Sequence, residues 1–98
     1  MPNIVYRVVI KEGEERAFKE LAEYTLIPEA LKLSGCKRFS LFQNGANIRE
    51  FIFFEMWDNE RSVRDYKERL ASVLGKPRPG EEFPEAMNNL IAEDEDLI

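Results

Sequence analysis

The chain has 98 residues, 44% of them apolar and 11% aromatic, with 14 Lys and Arg against 19 Asp and Glu. That is one domain with one modest core, too apolar for a disordered chain, without the ~20-residue apolar run of a membrane span and without the basic footprint of a nucleic-acid binder. Histidine is absent and Cys36 is the only cysteine, which excludes Ser–His and Cys–His nucleophilic schemes, an internal disulfide and any ordinary zinc site, since one Cys and carboxylates would have to serve.

The alternation of Ile4, Tyr6, Val8 and Ile10 with Val5, Arg7 and Val9 predicts a first strand over Ile4–Ile10. After Lys11-Glu12-Gly13 a helix is expected from about Glu14 to Ile27, with Ala17, Phe18, Leu21, Ala22 and Thr25 on one face. Pro28 should interrupt it, since proline has no N–H and clashes with the preceding turn. A further turn, Glu29 to Leu33, follows, and Gly35 reads as a helix stop.

Cys36 to Gln43 reads as the second strand and Glu50 to Trp57 as the third. Asn44-Gly45-Ala46-Asn47 joins them as a hairpin, with residues that tolerate positive φ. Asp58-Asn59 offers an N-cap to a long helix reaching about Leu74, whose apolar stripe is Val63, Tyr66, Leu70, Val73 and Leu74. Gly75 ends it, and Lys76-Pro77-Arg78-Pro79-Gly80 cannot continue it.

From Phe83 to about Glu93 a short amphipathic helix is expected, with Pro84 in its first turn, and Leu97-Ile98 is the place for a short last strand. Residues 80–98 hold seven acids and no Lys or Arg, so the acidic end reads as a solvated, partly frayed terminus. The expected organisation is a main unit over residues 1–80 and an acidic helical extension of the same domain over 81–98.

The order β-α-β-β-α is the split βαβ order of an α+β, ferredoxin-like sandwich. The third strand places Phe51, Phe53 and Trp57 on one face and Ile52, Phe54 and Met56 on the other. Two helices can cover only one of two apolar faces, and a second copy of the chain is the economical cover for the other. The expectation is a homodimer packed sheet to sheet; the alternative is that the C-terminal segment folds over that face. The chain's start shows none of the features of a signal peptide, and with a lone cysteine a cytoplasmic location is expected.

Several segments in this order resemble the antibiotic biosynthesis monooxygenase family over roughly residues 3–74. They are Ile10-Lys11-Glu12-Gly13 with Ala17-Phe18, then Ser34-Gly35-Cys36-Lys37-Arg38-Phe39-Ser40-Leu41-Phe42, then Glu50-Phe51-Ile52-Phe53-Phe54-Glu55-Met56-Trp57, and the helix from Asn59 through Tyr66. The resemblance implies a dimeric α+β barrel with a pocket between each protomer's sheet and its own helices. It also implies cofactor-independent oxygenation, by O₂, of a small phenolic, quinol or polyketide-like substrate that supplies the electrons. Many short members have a His nine positions after the third-strand Trp, where this chain has Tyr66. With no His to ligate iron, the chemistry of the related haem-degrading enzymes is not implied.

On the resemblance, Trp57 and Tyr66 are the candidate catalytic residues, to orient and polarise substrate. Tyr6, Tyr24, Arg38 and Glu55 are candidate substrate-binding residues. Each has a purely structural alternative: core packing for Trp57 and the tyrosines, and an ion pair across the hairpin between Arg38 and Glu55. Glu55 could instead be a base of raised pKa. Arg38 is expected on one face of its strand with Cys36, Ser40 and Phe42. Cys36 reads as structural. The second functional reading is a non-catalytic dimeric barrel that binds a small apolar ligand or a partner protein.

Overall fold

In the computed structural model, which describes residues 2–98, eight-residue strand β1 (Asn3–Ile10) leads into a helical path made of three pieces. These are α1 (Glu15–Leu21), a π turn (Ala22–Leu26) and α2 (Ile27–Leu31). Strands β2 (Cys36–Asn44) and β3 (Asn47–Trp57) follow, then α3 (Glu60–Leu74), the single turn α4 (Glu85–Asn88) and β4 (Ile91–Asp96). The four strands form one antiparallel sheet in the order β2-β3-β1-β4. With the helices packed on one side, this is the α+β, ferredoxin-like arrangement.

Alternation along the strands sets the two faces. Tyr6, Val8 and Ile10 of β1, Phe39 of β2 and Phe51, Phe53, Glu55 and Trp57 of β3 are buried beneath the helices. Phe18, Ala22, Leu26 and Ala30 come down from the first helical path, and Val63, Tyr66 and Leu70 from α3. The aromatic rings interlock: Tyr6 stacks on Phe53 with centroids 4.7 Å apart, and Phe18 meets Phe51 at 5.0 Å. Opposite these, Val5, Val9, Ile52, Phe54 and Met56 face outward and are only partly covered.

Pro28 does not break the helix. Its ring would press on the preceding turn and it has no N–H to donate, and the chain answers by widening into the π turn, where the Ile27 N–H reaches back five residues to the Ala22 carbonyl. The hairpin turn does not use positive φ, which among the described residues occurs only at Gly13, Gly75 and Gly80. The Asn44 side chain instead accepts a bond from the Ala46 N–H at 2.8 Å, which closes the turn locally, and β3 begins at Asn47, three residues before the expected start. Gly35 is not a helix stop, since α2 ends four residues earlier. A Cβ there would lie 2.0 Å from Ser62 Oγ, so the position is held by the close approach of α3. Asn59 caps α3 as expected, accepting from the Ser62 N–H at 2.9 Å. Val73, placed on the apolar stripe by its spacing, is 54% exposed, because that side of the last turn is left uncovered.

The C-terminal stretch differs most from expectation. The helix expected to run to Glu93 is confined to Glu85–Asn88, and the acidic segment Ile91–Asp96 is an edge strand paired with β1 rather than a frayed end. Arg7 of β1 explains how so charged a strand is held. Its guanidinium donates to Glu95 at 2.8 Å, to Glu50 at 3.1 Å and to Glu93 at 3.2 Å. This segment joins the sheet's edge and leaves the outer sheet face open. Among the described residues no helix is long and apolar enough to cross a membrane.

Candidate functional site

A cavity of about 600 Å³ lies between the sheet and α3. Three elements build its walls. Strand β1 contributes Ile4 and Tyr6, whose side chains share the inner face at a spacing of two; β3 contributes Glu55, opposite Ile4 in the register. Helix α3 contributes Val63, Tyr66, Lys67, Leu70 and Ala71, the i, i+3, i+4, i+7, i+8 positions of one helical face. Phe83 and Pro84, from the stretch leading into α4, and Met87 of α4 itself complete the wall. The Phe83 ring lies 5.5 Å from that of Tyr6.

Glu55 is the one charged residue buried among the described residues, at 5% exposure. Its neighbours make that burial tolerable: the Trp57 indole N–H donates to Glu55 Oε1 at 2.9 Å, and the Tyr6 phenol stands against the same carboxyl. Burial pushes the Glu55 carboxyl above its ordinary range, while the bond from Trp57, the nearby Tyr6 phenol and the charge of Lys67 hold it down in part. The Tyr6 phenol is raised by burial first and then by the Glu55 charge. The same two causes raise Tyr66, whose hydroxyl donates to the Leu26 carbonyl at 2.7 Å. Neither phenol serves as a base. Of the carboxylates lining the cavity, Glu55 is the buried one, and it is able to take a proton there.

Of the six residues expected in the site, the fold brings Tyr6, Glu55 and Tyr66 to the cavity wall. Trp57 stands behind the wall, wholly buried, with its ring 5.1 Å from Tyr66 and its N–H on Glu55. Its link to the cavity is the bond to that carboxylate. Tyr24 is 77% exposed on the π turn and takes no part. Arg38 is on the opposite face of the sheet. A register shift between Cys36 and Arg38 turns Cys36 inward, beside Trp57, and leaves Arg38, Ser40 and Phe42 outward, so the expected common face does not form. The Arg38–Glu55 ion pair does not form either: Arg38 Nε donates to Ser40 Oγ at 3.0 Å and its guanidinium lies 5.5 Å from the Phe54 ring centroid. Burial, then the Glu55 charge, raises the Cys36 thiol, as befits a packing residue.

Lys67, Phe83 and Met87 were not among the expected site residues. Lys67 was legible, being four residues after Val63 and three before Leu70 on the stripe. Phe83 and Met87 carry no such signal, since they reach the cavity through a return of the chain after Gly75. Among the described residues no group of three or more His, Cys, Asp or Glu converges as a metal ion would need.

A family model described as antibiotic biosynthesis monooxygenase matches residues 1–72. Solved structures share the fold at low identity. A candidate antibiotic biosynthesis monooxygenase from Nitrosomonas europaea is 17% identical, with a TM-score of 0.78, covering 99% of this chain and 94% of its own. One from Bacteroides thetaiotaomicron is 10% identical, with a TM-score of 0.76 and coverage of 96% and 84%. A protein from Shewanella oneidensis is 21% identical, with a TM-score of 0.75 and coverage of 96% and 84%. No curated protein matches the chain significantly.

Proposed function

Since the chain belongs to the antibiotic biosynthesis monooxygenase family, we propose that the cavity between β1, β3 and α3 is an active site for cofactor-independent oxygenation of a small phenolic, quinol or anthrone-like substrate. The observation that carries this reading is Glu55: a carboxylate buried at the wall of a mainly apolar cavity, oriented by the Trp57 indole. Such a carboxylate, its affinity for protons raised by burial, suits the removal of a proton from a phenol or enol. The substrate anion then supplies the electrons that reduce O₂. For an anthrone-like methylene, one oxygen atom becomes the new carbonyl, the other leaves as water, and the two methylene hydrogens complete that water. The chain's part is to hold the ring against Tyr6 and Phe83, exclude water and move the proton.

Two further features belong to the same proposal. The outer sheet face, with Val5, Val9, Ile52, Phe54 and Met56, is the face through which two copies pair. Family membership supports that reading, and so does a patch too apolar for open solvent. The setting is the cytoplasm, in keeping with the lone cysteine.

The test is oxygen uptake by purified, metal-free protein with a panel of reduced quinols and anthrones, corrected for autoxidation. Uptake proportional to enzyme, with an oxygenated product, and its loss in Glu55→Gln at unchanged fold, is the expected result. Protein that binds these ligands without uptake would instead be a binding barrel. One observation favours that second reading: the Tyr66 and Trp57 donors are already taken by Leu26 and Glu55.

A further inference from the structure

The charged side chains around the cavity are unequal in what they face. Arg64 and Glu68 on α3, Lys76 beyond it, Glu82 on the following stretch and Asp96 on β4 ring the rim, all of them exposed. Lys67, exposed like them, differs in its place on the helix and in acting on Glu55. It sits on the cavity-facing stripe of α3 between Val63 and Leu70, across from the β3 wall that carries Glu55. Like Arg64 and Lys76, it has no carboxylate within salt-bridge distance among the described residues, whereas Arg69, two residues on, is taken by Glu29. Of the rim charges it is also the one whose field reaches the Glu55 carboxyl. A base on one wall and an unpaired cation on the other enclose a space lined by Ile4, Tyr6, Leu70 and Phe83.

From this geometry we infer that Lys67 is the charge partner of the bound ligand, and that the ligand class is an acidic hydroxyaromatic or enol held as its anion. The ligand's O–H bond breaks, its proton passes to the Glu55 carboxylate, and the oxygen left negative faces the Lys67 ammonium; no electron moves in this step. Before transfer the Lys67 ammonium balances the Glu55 carboxylate, and after it balances the ligand anion, so the three groups together stay neutral and the cavity hosts the anion without an unpaired charge. This rests on the proposed use of the cavity as the ligand site. It narrows the substrate to molecules with an ionisable ring hydroxyl, and it excludes neutral hydrocarbons and ethers of the same size.

The test uses para-nitrophenol, whose phenolate absorbs where the phenol does not. The probe is titrated against pH in the presence of the intact protein and of Lys67→Met, Lys67→Arg and Ala71→Trp. The expected result is a bound probe that ionises about one pH unit below the unbound probe, the least that a nearby opposite charge brings. The shift persists in Lys67→Arg, disappears in Lys67→Met, and binding is lost in Ala71→Trp, which fills the cavity. A bound probe that ionises alike in the wild type and in Lys67→Met overturns the role of Lys67 and leaves the cavity as the ligand site. Absence of binding, or binding that survives Ala71→Trp, overturns the use of the cavity itself.

Discussion

Glu55 makes stability depend on pH in an unusual direction. Its carboxyl is raised above the ordinary 4.5, chiefly by burial. The native state therefore holds this proton at pH values where the unfolded chain has lost it, and native stability falls as pH climbs from about 4.5 through the raised value. Glu29 and Glu81 behave oppositely, each held low first by its arginine, Arg69 and Arg78, so their contributions are lost as pH falls through their lowered values. Comparing wild type with Glu55→Gln by urea unfolding isolates the first effect, since the other two are common to both. The gap between them is expected to move in favour of Glu55→Gln as pH rises through that range, by at most about 1.4 kcal/mol per pH unit, and to level off above it. A gap that stays flat would show that Glu55 titrates as an exposed carboxylate does. Trp57→Phe removes the donor to Glu55 Oε1 at an already buried site and is expected to lower stability by about 1–3 kcal/mol at neutral pH, measured in the same way. At this scale the residue types were legible: an acid flanked by Phe51, Phe53 and Trp57 on one strand face had to be buried and had to find partners. Which partners it found was not legible, because a bulge one strand away moved Arg38 to the other face.

Among the elements, α3 is the best specified by its sequence. Cap, stripe and stop all agree, and the helix forms over Glu60–Leu74 with Asn59 as its cap and Gly75 beyond its end at φ 90°. Its seat against the preceding loop depends on Gly35, where a Cβ would meet both Ser62 Oγ at 2.0 Å and Ser62 Cβ at 2.5 Å. Gly35→Ala is expected to destabilise the fold by about 1–3 kcal/mol. Combined with Ser62→Gly, it is expected to cost less than the sum of the two single changes, measured as a double-mutant cycle by chemical denaturation. Additive costs would mean that the contact has no energetic weight. The weakest specified element is β4. Strand propensity disfavours Asp and Glu, and a run of Glu93-Asp94-Glu95-Asp96 gives no apolar alternation. Its strand character comes from pairing with β1 and from Arg7, which lies 88 and 86 positions away in sequence from the acids it binds. Charges on such an edge also deter pairing with other chains.

The whole molecule has one covered and one open sheet face. Ile52, Phe54 and Met56 on β3, with Phe42 at 53% exposure on β2, form an apolar surface that the chain's own C-terminal stretch leaves bare. Sedimentation at micromolar concentration is expected to give twice the 11.5 kDa of one chain, and Ile52→Glu to give a monomer, since a charge in a buried apolar interface has no partner. A wild-type monomer would refute pairing through this face. Composition and periodicity alone determined the class of the protein: one α+β domain, three of its four strands, two helical regions, a sheet apolar on both sides and no histidine chemistry. Those properties are local, set by which residues recur at a spacing of two or of three to four. Only the tertiary structure decided the site. It joined Tyr6, Glu55, Tyr66 and Lys67 from three elements, put Trp57 behind Glu55, sent Tyr24 and Arg38 elsewhere and brought Phe83 to the wall beside Tyr6. Each of those outcomes depends on strand register, a bulge or a chain return, and these are fixed by contacts between residues far apart in the sequence, which no local pattern records.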